Sequence, residues 1–271
     1  MNIEQTAISI DTLDVGYATK TIISNLNLSI KKGKITALIG PNGCGKSTLL
    51  KSISRLLKPS AGSIHLGADI DVLTCPSKEI ARALALLPQM TQSPEGITVK
   101  TLVAFGRAPY LNQFGMLKEE DHRQIELAMC RAGVSELAND YIDQLSGGQL
   151  QRVWIALILA QDTDILLLDE PTTYLDICHQ YELLNLLVEL NLAGKTIVIV
   201  MHDLNQACRY ADELVIMQKG EIIDIGTPYN VFTEKMLRDV FNFEAIVIND
   251  PEASTPMSVA RAQKVVKSRA A

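Results

Sequence analysis

Apolar positions recur along the chain with two rhythms, and the switches between them mark out its elements. Residues 7–30 alternate short apolar runs with turns carrying Gly, Asn and Ser, which predicts antiparallel strands. Residues 34–39 are read as a buried strand, and a glycine-rich stretch from Gly40 leads into a helix near Lys46. Residues 63–73 predict a hairpin turning at Gly67, and residues 84–87 a strand ended by Pro88. Over residues 99–145 the period lengthens. Ile125, Met129 and Ala132 share a helical face opposite Glu119, Glu120 and Arg123, which predicts an inserted amphipathic segment.

A further helix is expected over residues 149–160, closing an insert of about 99–160, then a buried parallel strand over 165–168. Helices over 177–192 and 204–210 flank a strand over 196–201. Residues 214–217 and 221–225 read as a hairpin about Lys219-Gly220. The stretch 251–271, rich in Pro, Ser, Ala and basic residues, is expected to be a weakly ordered tail behind one domain spanning 1–250. Its Arg261, Lys264, Lys267 and Arg269 either touch a membrane surface or stay solvated.

Composition narrows the partners. With 47% hydrophobic and 21% charged residues, a 271-residue chain buries a core without disulfides or a structural metal. A net charge of -6 argues against a nucleic-acid partner. Five cysteines (Cys44, Cys75, Cys130, Cys178, Cys208) form no C-x-x-C pair, which fits a reducing compartment rather than a disulfide framework or a zinc site. No apolar run reaches the ~18 residues needed to span a bilayer, and residues 1–10 lack a basic leader region. The expectation is a cytoplasmic chain whose membrane role, if it has one, runs through a partner.

Gly40-Pro41-Asn42-Gly43-Cys44-Gly45-Lys46-Ser47, followed by Thr48, fits G-x-x-x-x-G-K-[ST] between a strand and a helix. Glycines let successive N–H groups converge on phosphate oxygens, and the helix N-terminus adds its positive dipole end. Lys46 supplies charge to the β- and γ-phosphates and the Ser47 hydroxyl suits Mg²⁺. Cys44 is either an oxidation-sensitive thiol or a small residue the loop tolerates.

The apolar run over 165–168 ends in Asp169-Glu170, delivering two carboxylates to the edge of a parallel sheet, where ligands of such sheets bind. Neighbouring strand residues point opposite ways, so the two acids divide roles. Asp169 is expected to hold Mg²⁺, and Glu170 to polarise an attacking water as general base.

Leu145-Ser146-Gly147-Gly148-Gln149 makes a second phosphate-facing helix N-terminus. One nucleotide does not need two cradles from one chain, so this one is read as facing the nucleotide of another copy.

With these three motifs, residues 8–248 resemble the ATP-binding subunits of ABC transporters. The resemblance implies an α/β fold: a P-loop NTPase core with an antiparallel β subdomain and an inserted helical subdomain. It implies that Tyr17 stacks on adenine, that Gln89 contacts Mg²⁺ or the attacking water, and that Asp176 lies on a loop crossing a dimer interface. It also places His202, after the strand over 196–201, against the γ-phosphate. Two copies would sandwich two ATPs, each between one copy's phosphate loop and the other's Ser146, Gly147, Gly148 and Gln149. Closure of this homodimer would drive integral-membrane permease subunits from the cytoplasmic face of the membrane, with a periplasmic or surface substrate-binding protein acting indirectly.

Three stretches resemble the ferric-siderophore importer branch: residues 97–110, residues 171–180, and residues 202–212 with His202-Asp203-Leu204-Asn205-Gln206-Ala207. Haem, cobalamin and other metal-chelate importers are the alternative cargo classes. A non-transport ABC ATPase fits less well, because repair versions carry a long coiled-coil insertion and translation factors two cassettes.

Overall fold

The computed structural model describes residues 5–18, 20–89 and 94–261. Strands β1 (Thr6–Tyr17) and β2 (Lys20–Lys31) pair antiparallel, their buried positions Ile8, Ile10, Leu13, Ile23 and Ile30 facing one core. β3 (Ile35–Ile39) is buried at every position and feeds the glycine-rich loop into α1 (Lys46–Ile53). β4 (Ala61–Leu66) pairs with β1, and β5 (Ile70–Asp71) with β4, giving a four-stranded sheet in the order β2-β1-β4-β5. α2 (Ser77–Ala83) runs into β6 (Leu84–Leu87).

The insert follows: α3 (Val99–Ala104), a 3₁₀ segment (Phe105–Tyr110), α4 (Glu119–Arg131) and α5 (Gly147–Gln161). Ile125, Met129 and Ala132 are buried, as their spacing predicts. β7 (Ile165–Asp169), α6 (Ile177–Leu192), β8 (Thr196–Val200) and α7 (Leu204–Tyr210) return the chain to the core, and β9 (Glu213–Gln218) and β10 (Glu221–Gly226) make the expected hairpin. The second sheet runs β10-β9-β3-β8-β7-β6, parallel except at β10.

The parallel sheet separates two hydrophobic cores by the two-residue period of its strands. Ala37, Leu166, Leu168, Ile197, Ile199, Leu214 and Ile216 face the helical insert and α6. Leu38, Ile165, Leu167, Val198, Val200, Val215 and Met217 face α1 and the antiparallel sheet. Strands buried on both faces read as unbroken apolar runs, which is why the sequence places them so closely.

The C-terminal region departs from expectation. After α8 (Pro228–Val231) and α9 (Glu234–Phe241), β11 (Ala245–Asn249) pairs antiparallel with β12 (Pro256–Ala260). Residues 251–261, expected to be weakly ordered, are therefore folded. The turn is organised by Asp250, whose Oδ1 accepts from the N–H groups of Glu252 and Ala253, and Arg261 pairs with Glu234 at 3.1 Å. Lys264, Lys267 and Arg269 lie outside the described residues.

Candidate functional site

The phosphate loop takes its shape from backbone conformations that side chains rarely adopt. Gly40 has φ 154° and Gly45 φ 112°. A Cβ on Gly40 would stand 2.1 Å from the Met217 carbonyl oxygen of β9, so glycine is required there by contact as well as by dihedral angle. Lys46, buried to 5% exposure, donates from Nζ to the Gly40 and Pro41 carbonyls at 2.7 and 3.1 Å. Buried Cys44 lies 3.7 Å from the same Nζ.

At the C-terminal edge of the parallel sheet, β7 presents its two acids in different backbones. Asp169 is the last residue of the strand, and Glu170 turns into the left-handed region at φ 55°. Asp169 accepts from the Ser47 hydroxyl at 2.9 Å. Burial pushes its carboxyl above the ordinary value, and the Glu170 charge adds to this, against the Ser47 hydrogen bond. Glu170 accepts from Gln89 Nε2 at 2.7 Å on one oxygen and meets His202 Nε2 at 2.6 Å on the other. The strand-edge positions expected for Gln89, Glu170 and His202 thus converge on one carboxylate.

Gln89, Glu170 and His202 line one cleft of about 400 Å³ with Asn42, Gly43, Gly45, Lys46, Ser47 and Thr48. Its rim includes Lys20 and Ile22 of β2, ordinary strand residues that no motif marks. Tyr17 pairs with Lys20 across the hairpin and is 45% exposed, but it is not itself among the residues lining the cleft. Ser47 and Asp169 form an oxygen-only donor pair, and no group of three or more His, Cys, Asp or Glu among the described residues could hold a metal ion. That donor set fits Mg²⁺, which binds few carboxylates and completes its octahedron with water and phosphate oxygens.

Residues 146–149 do not line this cleft. Ser146 caps α5: its Oγ accepts from Gln149 N at 3.3 Å while Gln149 Oε1 accepts from Ser146 N at 2.9 Å. This capping box starts the helix at Gly147, two residues before the sequence expectation. Asp176 caps α6 through His179 N at 3.0 Å and contacts His179 Nδ1 at 2.9 Å. Between them Tyr174 stands exposed with φ 76°. Of the two glycine-bearing helix starts expected to face phosphate, the one at the phosphate loop lines the cleft and the one at Gly147 does not. No described helix is long and apolar enough to cross a membrane.

The sequence profile of the ABC transporter family matches residues 23–173. A Bacillus subtilis ATP-binding protein assigned to a siderophore transport system is 49% identical over 254 residues, covering 93% of this chain and 92% of its own length. The iron(3+)-hydroxamate import ATP-binding protein of Bacillus subtilis is 47% identical over 252 residues, covering 93% of each. Among solved structures, a chain of an inward-facing ABC transporter assigned to the metal-chelate type superposes with a TM-score of 0.80 at 28% identity, over 95% of this chain and 98% of that one. The phosphate loop, the acid-ended strand and the capped Leu145–Gln149 stretch occur together on this fold, and the chain belongs to the ABC transporter family as one of its ATP-binding, ATP-hydrolysing subunits.

Proposed function

We propose that the chain energises import of ferric-siderophore complexes, working as a homodimer against permease subunits at the cytoplasmic face of the membrane. The observation that carries the catalytic part is the convergence of Gln89 and His202 on Glu170 beside the phosphate loop. The cargo follows from relatives named for siderophore and iron(3+)-hydroxamate transport at 47–49% identity. A hemin import relative at 36% identity keeps haem as the second cargo class.

The residues act by position and charge, since phosphoryl transfer to water needs no covalent intermediate. ATP enters the cleft with its adenine on Tyr17 and its phosphates on the loop N–H groups of residues 40–48. Lys46 Nζ exchanges its carbonyl partners for the β- and γ-phosphates. Ser47, Asp169 and Gln89 would hold Mg²⁺, which would supply positive charge to offset that of the phosphates. Glu170 orients and polarises the attacking water as general base, and His202 contacts the γ-phosphate. Ser146, Gly147, Gly148 and Gln149 close on the ATP of the partner copy, with Asp176 on the crossing loop. Hydrolysis and product release then reopen the pair.

Glu170→Gln tests this reading directly. It keeps the side-chain shape and the ATP cleft but cannot take a proton, so ATP binding persists, turnover drops by at least about 100-fold and ATP traps a closed dimer. Hydrolysis at the wild-type rate would sink the assignment. Uptake of labelled ferric complexes in a deletion strain, with identification of the co-purifying permease, tests the cargo; unchanged uptake of every siderophore would redirect it to other chelates.

A further inference from the structure

Two of the three stretches that mark the branch resemblance, residues 171–180 and 202–212, contain side chains that the cleft does not use but that bond to one another. Gln206, 6% exposed on the first turn of α7, donates from Nε2 to Gln180 Oε1 at 3.2 Å. Gln180, on α6, donates from its own Nε2 to the carbonyls of Leu175 at 3.0 Å and Thr172 at 3.3 Å. Those carbonyls belong to the loop running from Glu170 to Asp176. At the other end, Asp203 directly follows His202 and caps α7 through the N–H groups of Asn205 and Gln206 at 2.9 and 3.0 Å.

The orientation of the relay is fixed. With both Gln180 amide hydrogens facing carbonyls, its oxygen is the acceptor left for Gln206. The buried Gln206 amide costs free energy unless satisfied, and the half-buried Gln180 supplies its acceptor. α7 is also held from behind, because the Asn205 amide bonds Ser258 of β12 in both directions, Nδ2 to the carbonyl at 3.2 Å and Oδ1 from N–H at 2.8 Å. A helix held on one side and bonded to the loop on the other can transmit a displacement of His202 to that loop.

We propose that Gln180 and Gln206 are positioning residues for ATP hydrolysis, a pair of amides that keeps the loop over residues 171–176 in register with the segment bearing His202. The γ-phosphate contact of one copy and the loop it presents to its partner then move together. This inference rests on the roles assigned above to His202 and Asp176.

The test is steady-state ATP hydrolysis by the full chain carrying Gln206→Met, Gln180→Met or both, with thermal unfolding measured in parallel. Each single change should lower kcat about five- to tenfold, the worth of one hydrogen bond, with KM for ATP within about twofold. The double change should be no worse than the more severe single one, because one relay is broken once. Gln180→Glu keeps the acceptor facing Gln206 but loses both donors to the loop, so it gives the same loss and covers the case in which methionine disturbs packing. Unchanged kcat with a lowered unfolding temperature would overturn the proposal, as would losses that multiply in the double variant. His202→Ala, assayed alongside, separates the layers: wild-type turnover there removes the cleft reading and the relay with it. An inactive His202→Ala beside fully active glutamine variants removes the relay alone.

Discussion

Asp169 and Glu170 are chain neighbours in opposite surroundings. Asp169 is 2% exposed inside the sheet edge, and its carboxyl is raised from the ordinary 3.8 chiefly by burial. Between the unfolded and the raised folded value the folded state binds more protons, so stability falls as the pH rises through that window. Above the window the ionised carboxylate is a net cost to the fold. Asp169→Asn keeps an acceptor for Ser47 and removes the charge. The substituted chain is therefore expected to unfold at a higher temperature than wild type near pH 7 without nucleotide, with the gain shrinking as the pH drops toward 4. It should lose the extra stabilisation that Mg²⁺ adds to ATP in wild type, read by melts with and without a chelator. Equal melting of the two chains near pH 7 would contradict the burial argument. Both acids were legible in the sequence because an apolar strand ending in carboxylates has a fixed meaning in a parallel sheet. The left-handed turn at Glu170 was not, since nothing in the letters separates it from a strand continuation. Gln89 was legible only through the family resemblance, whereas His202 also stood out as the one histidine of four that follows a buried strand on the same edge as the acids.

At the scale of elements, a buried ion pair ties the parts of the helical insert together beside its apolar core. Arg107, in the 3₁₀ segment Phe105–Tyr110, donates from Nε to Asp121 Oδ1 of α4 at 2.9 Å and from Nη1 to the Ala160 carbonyl of α5 at 2.9 Å. Its guanidinium also lies 3.8 Å from the Tyr110 ring centroid. Asp121 Oδ2 accepts from Lys118 N at 2.8 Å, so the same carboxylate caps its own helix. Burial alone would raise this carboxyl, but the Lys118 N–H and the Arg107 guanidinium outweigh it and hold it below 3.8. Its contribution is present above the ordinary carboxylate value and is lost as the pH falls toward the lowered one. Asp121→Ala strands a guanidinium that is almost wholly buried, and the expected loss is about 3–5 kcal/mol in urea unfolding near pH 7. The gap to wild type should narrow in acid below pH 3.8. A loss under about 1 kcal/mol would show that the insert is held by its apolar face alone. Amphipathic spacing foretold α4, yet the clamp was invisible because its partners sit 14 and 53 residues apart. α9 was missed although Thr233 caps it and Met236, Leu237 and Val240 share a buried face. β11 was missed although Ile246, Val247 and Ile248 make a β-branched run, because its partner β12, Pro-Met-Ser-Val-Ala, reads as loop and only their pairing makes a sheet.

For the whole molecule, the arrangement that matters is what one chain leaves incomplete. The cleft about Lys46 is lined by phosphate-loop and sheet-edge residues, while Ser146 caps a helix of the insert outside it. A helix N-terminus with its leading N–H groups and two glycines is suited to anionic oxygens, and none of residues 146–149 lines the cleft of its own chain. Two copies related by a twofold axis would meet reciprocally, the loop of each against the capped helix of the other. This makes a prediction that no single-chain site shares. Lys46→Ala pairs are defective in both sites through their loops, and pairs with Ser146→Arg are defective in both through their caps. In a mixed pair both lesions fall on one site, and the other is assembled from the intact loop of one copy and the intact cap of its partner. Each variant alone should neither close on ATP nor turn it over, whereas mixing them should recover both in the mixed pairs, measured by ATP-dependent dimerisation and by hydrolysis. If each site were complete within its own chain, the Ser146 variant would keep turning ATP over by itself, and mixing would add nothing beyond what that chain contributes.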